Sequence, residues 1–264
     1  GRVQNCYQNA LACYLSALVY ELNGEPNDAY IDLKAFAELV PDFPPAQKKL
    51  LYYSEQLGFR DEGDRWRAAF RSPEVRKRSR TTHGELVLIL QAGEAPLKSQ
   101  VLIPLPLAGG IVTIAFPIYQ TRPDSLTGAE VRISDLAVGR TTVLYDVEAV
   151  AVRYLKDQAL TLALKQLVRA GIKTAATYLA RREAGILGVL AMSLWNIASE
   201  QADLRSWTTL PRNIQILDTA LPAGRYQATI DFLGGGPAPL TLPVLIRPGK
   251  KTFINVRALQ NHAY

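Results

Sequence analysis

The sequence predicts an α+β protein. A helical hairpin stands at the N-terminus, followed by a β-sandwich-like body with central amphipathic helices. Three observations carry this prediction. The first sixty residues place apolar side chains at helical spacing between Gly and Pro stops. Residues 84–146 and 213–257 break into short runs rich in Val, Ile, Leu and Thr, bounded by Gly or Pro. Residues 147–199, between those two β-regions, return to helical periodicity. The domain plan that follows is a helical region over 1–62, a basic linker over 63–83 and a mixed β/α domain over 84–264.

The first helix runs over 3–22, with Cys6, Tyr7, Ala10, Leu11, Tyr14, Ala17, Leu18 and Tyr20 near one stripe. Asn23-Gly24-Glu25-Pro26 stops it: Gly suits a left-handed cap, and Pro suits the first turn of the next helix. The second helix spans 26–40, with Ala29, Leu33, Phe36 and Ala37 on one face, and Pro41 ends it. A third, over 45–57, closes at Gly58. The first pair resembles a tetratricopeptide repeat (TPR), with Ala17, Tyr20, Ala29 and Pro41 at matching offsets. Phe36 and Cys13 depart from it, standing where Ala and Trp are usual. One repeat does not bury both its faces, so either earlier repeats precede this chain or the third helix and the next domain cap it.

Strands are expected over 85–91, 99–105, 111–119, 130–133 and 141–145, with Gly109-Gly110 as a hairpin turn. Pro104, Pro106 and Pro117 point to edges or strand ends. A helix follows over 147–171, with Val147, Val150, Ala151, Tyr154, Leu155 and Leu162 on a broad apolar stripe; Gly171 kinks it before 172–182, and 184–199 follows. The last strands are expected over 213–217, 225–232, 240–246 and 251–256. Tyr226, Ala228, Ile230 and Phe232 alternate with polar neighbours, giving one buried and one exposed face.

Of the 264 residues, 48% are hydrophobic and 20% charged, which excludes a disordered chain, a collagen-like fibre and a disulfide-stapled miniprotein. The net charge of +6 is mild. Only the stretch from Arg65 to Arg80 is densely basic; it reads as a solvated connector, the alternative being a site for an anionic partner, whether lipid headgroups, an acidic protein surface or nucleic acid. Cys6 and Cys13 lie two helical turns apart, about 10 Å, too far to bridge. No apolar run is long and unbroken enough to be a membrane-spanning helix: 101–119 is interrupted by Pro and Gly, and 184–199 is too short. The chain opens at Gly1 inside a helical pattern, as a processed product or a fragment would, so any acylated residue is expected upstream.

A search for chemistry returns little. His83 and His262 have no Cys or His at metal spacing, so no metal or cofactor is expected. There is no G-x-S-x-G elbow, and Gly234-Gly235-Gly236-Pro237 lacks the Gly-Lys-Ser/Thr of a phosphate loop, reading instead as a flexible strand connection. Asp61, Glu62 and Asp64 read as a solvated acidic cluster. No catalytic residue is assigned. Residues 200–211 stand out because Asp203, Arg205 and Trp207 alternate; in an extended segment they share a face, with Arg205 pairing to Asp203 and stacking on Trp207. This stretch reads either as a buried clasp or as a partner-binding patch. The interface expected on the second reading comprises Asp203, Arg205, Trp207, Leu210 and Pro211, with Tyr20 and Tyr30 on the helices.

Four motifs carry a resemblance: the L-x-G-E-P-x-D-A turn (Leu22 to Ala29), A-F-P-x-Y (Ala115 to Tyr119), A-D-x-R-S-W-x-x-L-P (Ala202 to Pro211) and L-P-x-G-x-Y (Leu221 to Tyr226). Together they look like a family of uncharacterised bacterial envelope lipoproteins with TPR-like N-termini. The resemblance implies a periplasmic, outer-membrane-associated location and no established enzymatic activity. The expectation is a non-enzymatic envelope scaffold or accessory subunit. Its partners would be other envelope proteins in a homo- or hetero-oligomer, with the membrane surface as a further contact and no nucleic acid. The apolar segments 101–119 and 184–199 are expected either in the core or against a partner. The alternatives are a peptidoglycan- or carbohydrate-binding module, with Tyr226 and Trp207 as candidate but buried aromatics, and a carboxylate-dependent cell-wall hydrolase. The hydrolase requires convergent acids in a pocket.

Overall fold

A computed structural model describes residues 9–70, 82–107, 110–123, 125–134 and 136–159, positions 161, 162, 164, 165 and 168, and residues 202–264. The protein is α+β. Its contacts divide it into two units, one formed by 1–95, 123–150 and 209–264, the other by 96–122 and 151–208.

The larger unit begins with α1 (Ala10–Asn23), α2 (Pro26–Leu39), α3 (Pro44–Gln56) and α4 (Arg60–Ala69). Local chemistry sets the ends of these helices. The Ala12 N–H donates to Asn9 Oδ1 at 3.0 Å, satisfying one of the orphan donors of the first turn of α1. Gly24 closes α1 at φ +78°, a left-handed conformation that a side chain would strain. Prolines open both α2 and α3, where a missing N–H costs nothing. The basic linker expected from residue 63 is instead helical as far as Ala69: α4 carries Asp61 and Glu62 in its first turn and Arg67 in its last, the arrangement that opposes the helix dipole. The rest of the basic run, 71–81, lies outside the described residues, as do Cys6 and the segments expected as helices over 172–182 and 184–199.

Two four-stranded sheets complete the unit. The first has the order β10 (Lys251–Ala258), β1 (His83–Ala92), β7 (Asn213–Pro222), β6 (Thr142–Asp146). The second has the order β5 (Leu136–Arg140), β4 (Gly128–Ile133), β8 (Gly224–Leu233), β9 (Leu240–Ile246). β5 is a strand the sequence pattern did not single out, and His83 belongs to β1 rather than to a linker. β1 is apolar on both faces, and two cores explain why. Val87 joins Ile216 and Leu144 in one cluster with Tyr14, Leu18, Leu33, Phe36, Phe43 and Leu50 of the helical region. Leu86, Leu88 and Leu90 point the other way, into a second cluster with Val131, Ile230, Val244 and Ile246 of the second sheet.

The Gly234–Pro237 connection between β8 and β9 is held in place rather than loose. Gly234 has φ +84°, and a Cβ there would collide with the Ser125 carbonyl oxygen and the Thr127 side chain. Gly234→Ala is therefore expected to lower stability by about 1–3 kcal/mol, read as a shift of the urea midpoint at constant slope.

Among the described residues the smaller unit contains one hairpin, β2 (Leu97–Leu107) paired antiparallel with β3 (Gly110–Gln120) in register from Leu97↔Gln120 to Leu107↔Gly110. Pro104, Pro106 and Pro117 oppose Thr113, Ile111 and Gln100, all in one alternating set of pairs. A two-residue connection makes the closing pair Leu107↔Gly110 a hydrogen-bonded one, so the three prolines fall in non-bonded pairs, where their missing N–H leaves the ladder intact. Residues 147–159 are helical, as expected, and no described helix is long and apolar enough to cross a membrane.

Candidate functional site

The densest polar cluster among the described residues was not foreseen from sequence. It joins the helices to the first sheet. Glu85 and Lys251 are register partners on β1 and β10. Asp218 on β7 pairs with Val87, two residues along β1 from Glu85, so strand alternation turns Glu85, Lys251 and Asp218 toward the helices. Glu21 in the last turn of α1, Lys49 in the middle of α3 and Tyr14 on α1 meet them there.

The geometry is tight. Lys49 Nζ donates to Glu21 Oε2 and Glu85 Oε2, both at 3.0 Å, and lies 3.7 Å from Asp218 Oδ2. Lys251 Nζ reaches the same two glutamate oxygens at 2.6 Å and 2.5 Å. The Tyr14 hydroxyl donates to Asp218 Oδ2 at 2.5 Å. Two ammonium groups thus face three carboxylates, and every one of these side chains except Glu85 is largely shielded from water.

Burial and charge act against each other here. Burial alone raises the Glu85 carboxyl, but the Lys49 and Lys251 ammoniums outweigh it and bring Glu85 from 4.5 down to about 2. Burial raises the Asp218 carboxyl above its usual range, with Lys49 pulling against the rise. Burial, followed by the Asp218 charge, drives the Tyr14 phenol well above its ordinary value. Burial favours the neutral form of Lys49, yet Asp218 and Glu21 overcome it and keep the ammonium charged well above its usual range.

The sign of each contribution follows. Glu85 is depressed in the fold, so its contribution is complete above about pH 4.5 and is lost as pH falls toward about 2. Asp218 acts in the opposite sense: its contribution is complete below its usual range and is lost as pH rises through its folded value. Glu85→Gln is therefore expected to flatten the acid-induced loss of stability between about pH 4.5 and about pH 2, measured as the urea midpoint against pH. An unchanged acid limb would show that Glu85 is not held by its two lysines.

Chemically the cluster is closed. Its acids and bases neutralise one another, and a substrate would have to displace ion pairs to reach them. No three of His, Cys, Asp or Glu among the described residues gather as a metal site.

The residues singled out from sequence fall in different places. Asp203 and Arg205 do pair, bidentately, with Nε to Oδ1 and Nη2 to Oδ2 both at 2.9 Å, and both side chains are exposed. The pairing holds the Asp203 carboxyl well below its usual range and raises Arg205. Arg205 does not stack on Trp207: the cation–ring contacts recorded among the described residues are Lys34 with Tyr30 and Lys98 with Tyr119. Trp207 is 74% exposed, not buried in a clasp. These three residues belong to the smaller unit, whereas Leu210 and Pro211 belong to the larger one, where Leu210 is exposed and Pro211 is buried. Tyr20 is half-buried against the helical core. Tyr30 is buried: its hydroxyl donates to Glu62 at 2.7 Å and accepts from Trp66 Nε1 at 3.0 Å, so it ties α2 to α4 instead of facing a partner. Glu62 also pairs with Lys34 at 2.9 Å, so part of the acidic cluster expected in a linker has a defined place on α4.

The signal that could have revealed the buried cluster is weak but present. Glu85 and Asp218 are single charges inside apolar strand runs, and such charges are rarely buried without partners. Comparison with protein-family models, with curated proteins and with solved structures finds no match to this chain.

Proposed function

We propose that this chain is a non-enzymatic scaffold or accessory subunit of the bacterial cell envelope, working at the periplasmic face of the outer membrane by holding another envelope protein. The β2–β3 hairpin carries this reading. From Ser99 to Thr121 no residue is charged. Leu102 is 52% exposed and Ile103 40%, and Val101 and Ile118 of the same hairpin are exposed as well. An uncharged ribbon with that much exposed aliphatic surface is what a partner covers. In this reading the N-terminal helices form a TPR-like hairpin capped by α3 and α4, and the two four-stranded sheets form a sandwich beneath them. The charge cluster supports a structural rather than a catalytic role for its acids, because Lys49 and Lys251 neutralise them and all but Glu85 are largely shielded from water.

Under gentle detergent, the protein is expected to co-purify with an envelope partner. Ile103→Glu combined with Leu102→Glu is expected to abolish that capture while leaving the thermal midpoint of the larger unit in place. Recovery of monomer alone from the unmodified protein, at every detergent strength, overturns the reading.

Trp207 favours a second reading, a carbohydrate-binding module, because an exposed indole is the kind of platform on which sugar rings stack. Titration with soluble peptidoglycan fragments, followed by tryptophan fluorescence in the wild type and in Trp207→Phe, separates the two.

A further inference from the structure

We propose that the groove between β9 and β10 holds an extended acidic segment of a partner protein, added as a strand to the free edge of β10. β9 and β10 are the end strands of their respective sheets, so among the described residues each has an edge with no strand beside it. Between them lies a groove of about 610 Å³. Leu245 and Phe253, 41% and 45% exposed, give it apolar walls, and Arg247 and Lys250 stand at its rim.

The main-chain directions are fixed by the hydrogen bonds of β10. Glu85 N–H donates to the Lys250 carbonyl at 3.0 Å, and Gly93 N–H to the Ala258 carbonyl at 2.9 Å. In a parallel ladder this turns Thr252, Ile254 and Val256 toward β1 and turns the N–H and C=O groups of Lys251, Phe253 and Asn255 outward. The next residue of that outward set, Arg257, is already paired: its N–H donates to the Tyr264 carbonyl at 2.8 Å, and Tyr264 N–H donates back at 3.0 Å. Tyr264 therefore adds to one end of this edge, and among the described residues the same donors and acceptors continue without a strand partner beside the groove.

Charge selects the occupant. Neither Arg247 nor Lys250 has an acidic partner among the described residues, whereas the third cation lining the groove, Lys251, is engaged by Glu21 and Glu85. Strand addition supplies main-chain bonds, and alternate side chains of the added strand meet the groove. A segment alternating acidic and apolar residues would place carboxylates at Arg247 and Lys250 and aliphatic groups on Phe253 and Leu245. This surface belongs to the larger unit, and its test does not depend on the hairpin.

The test uses the full chain and a labelled synthetic peptide of about eight residues, alternating glutamate and valine. Saturable binding is expected, with slowed hydrogen exchange at the Phe253 and Asn255 amides and a marked loss of affinity in high salt. Arg247→Glu with Lys250→Glu is expected to weaken binding by about tenfold or more. Methylating alternate backbone nitrogens of the peptide should do the same without any change to the protein. Absence of saturable binding overturns the proposal. So do equal binding of a lysine–valine peptide, binding without protection at those two amides, and binding that survives both the charge reversal and the methylation.

Discussion

Lys49→Met is expected to destabilise the protein by about 3–5 kcal/mol, because it leaves carboxylates buried without their main counter-ion. Lys49 is the one residue in contact with Glu21, Glu85 and Asp218 together. Once it is gone, Lys251 still reaches Glu21 and Glu85, and Asp218 is left with only its weaker, more distant pull. The loss is measured by urea unfolding at neutral pH. Repeating the measurement near pH 4 is expected to show a smaller gap, since the uncompensated acids then take up protons. Asp218→Asn in the Lys49→Met background is expected to restore part of the stability, because the neutral amide no longer needs a cation and still accepts from the Tyr14 hydroxyl. A change below about 1 kcal/mol would mean that the network does not fasten the helices to the sheet.

Phe36→Ala is expected to cost a similar amount, about 3–5 kcal/mol, for a different reason. Phe36 is fully buried, and its ring centroid lies 5.0 Å from that of Tyr14 and 5.5 Å from that of Phe43. Tyr14 and Phe43 meet edge-on at 5.1 Å. Three rings from α1, α2 and the start of α3 thus fill one space, each touching the other two, and removing Phe36 leaves a void that neighbours on separate helices close only in part. Differential scanning calorimetry should show the melting temperature falling by roughly 10 °C. Phe36→Leu, which keeps most of the volume, should lose much less.

Much of the secondary structure was legible because local signals agreed. Asn23-Gly24-Glu25-Pro26 marks the turn between α1 and α2, and the structure uses Gly24 and Pro26 as a cap and a first-turn residue. The alternation through Tyr226, Ala228 and Ile230 is the strand β8. α4 was missed because its sequence, RDEGDRWRAA, has almost no apolar stripe; its evidence lay in the order of its charges along the helix. β5 was missed because Leu136-Ala137-Val138-Gly139-Arg140 is short and most of its side chains are exposed. The charge cluster was illegible for a deeper reason. Its members are scattered from Tyr14 to Lys251 over two helices and three strands, and only the sheet order and the packing of those helices on it bring them together. Expecting Arg205 over Trp207 failed because the bidentate bond to Asp203 already commits the guanidinium plane.

The parallel pairing of β1 with β10 joins two strands far apart in the sequence, residues 83–92 and 251–258. As the nascent chain leaves the ribosome, β1 emerges long before its neighbour exists, with an entire edge of main-chain groups exposed. The helical region cannot be fastened fully in that interval, since Lys251 arrives with the last strand. Completion of the first sheet is therefore a late, long-range event, and truncation before residue 251 would release a translation product with a sticky, half-built edge.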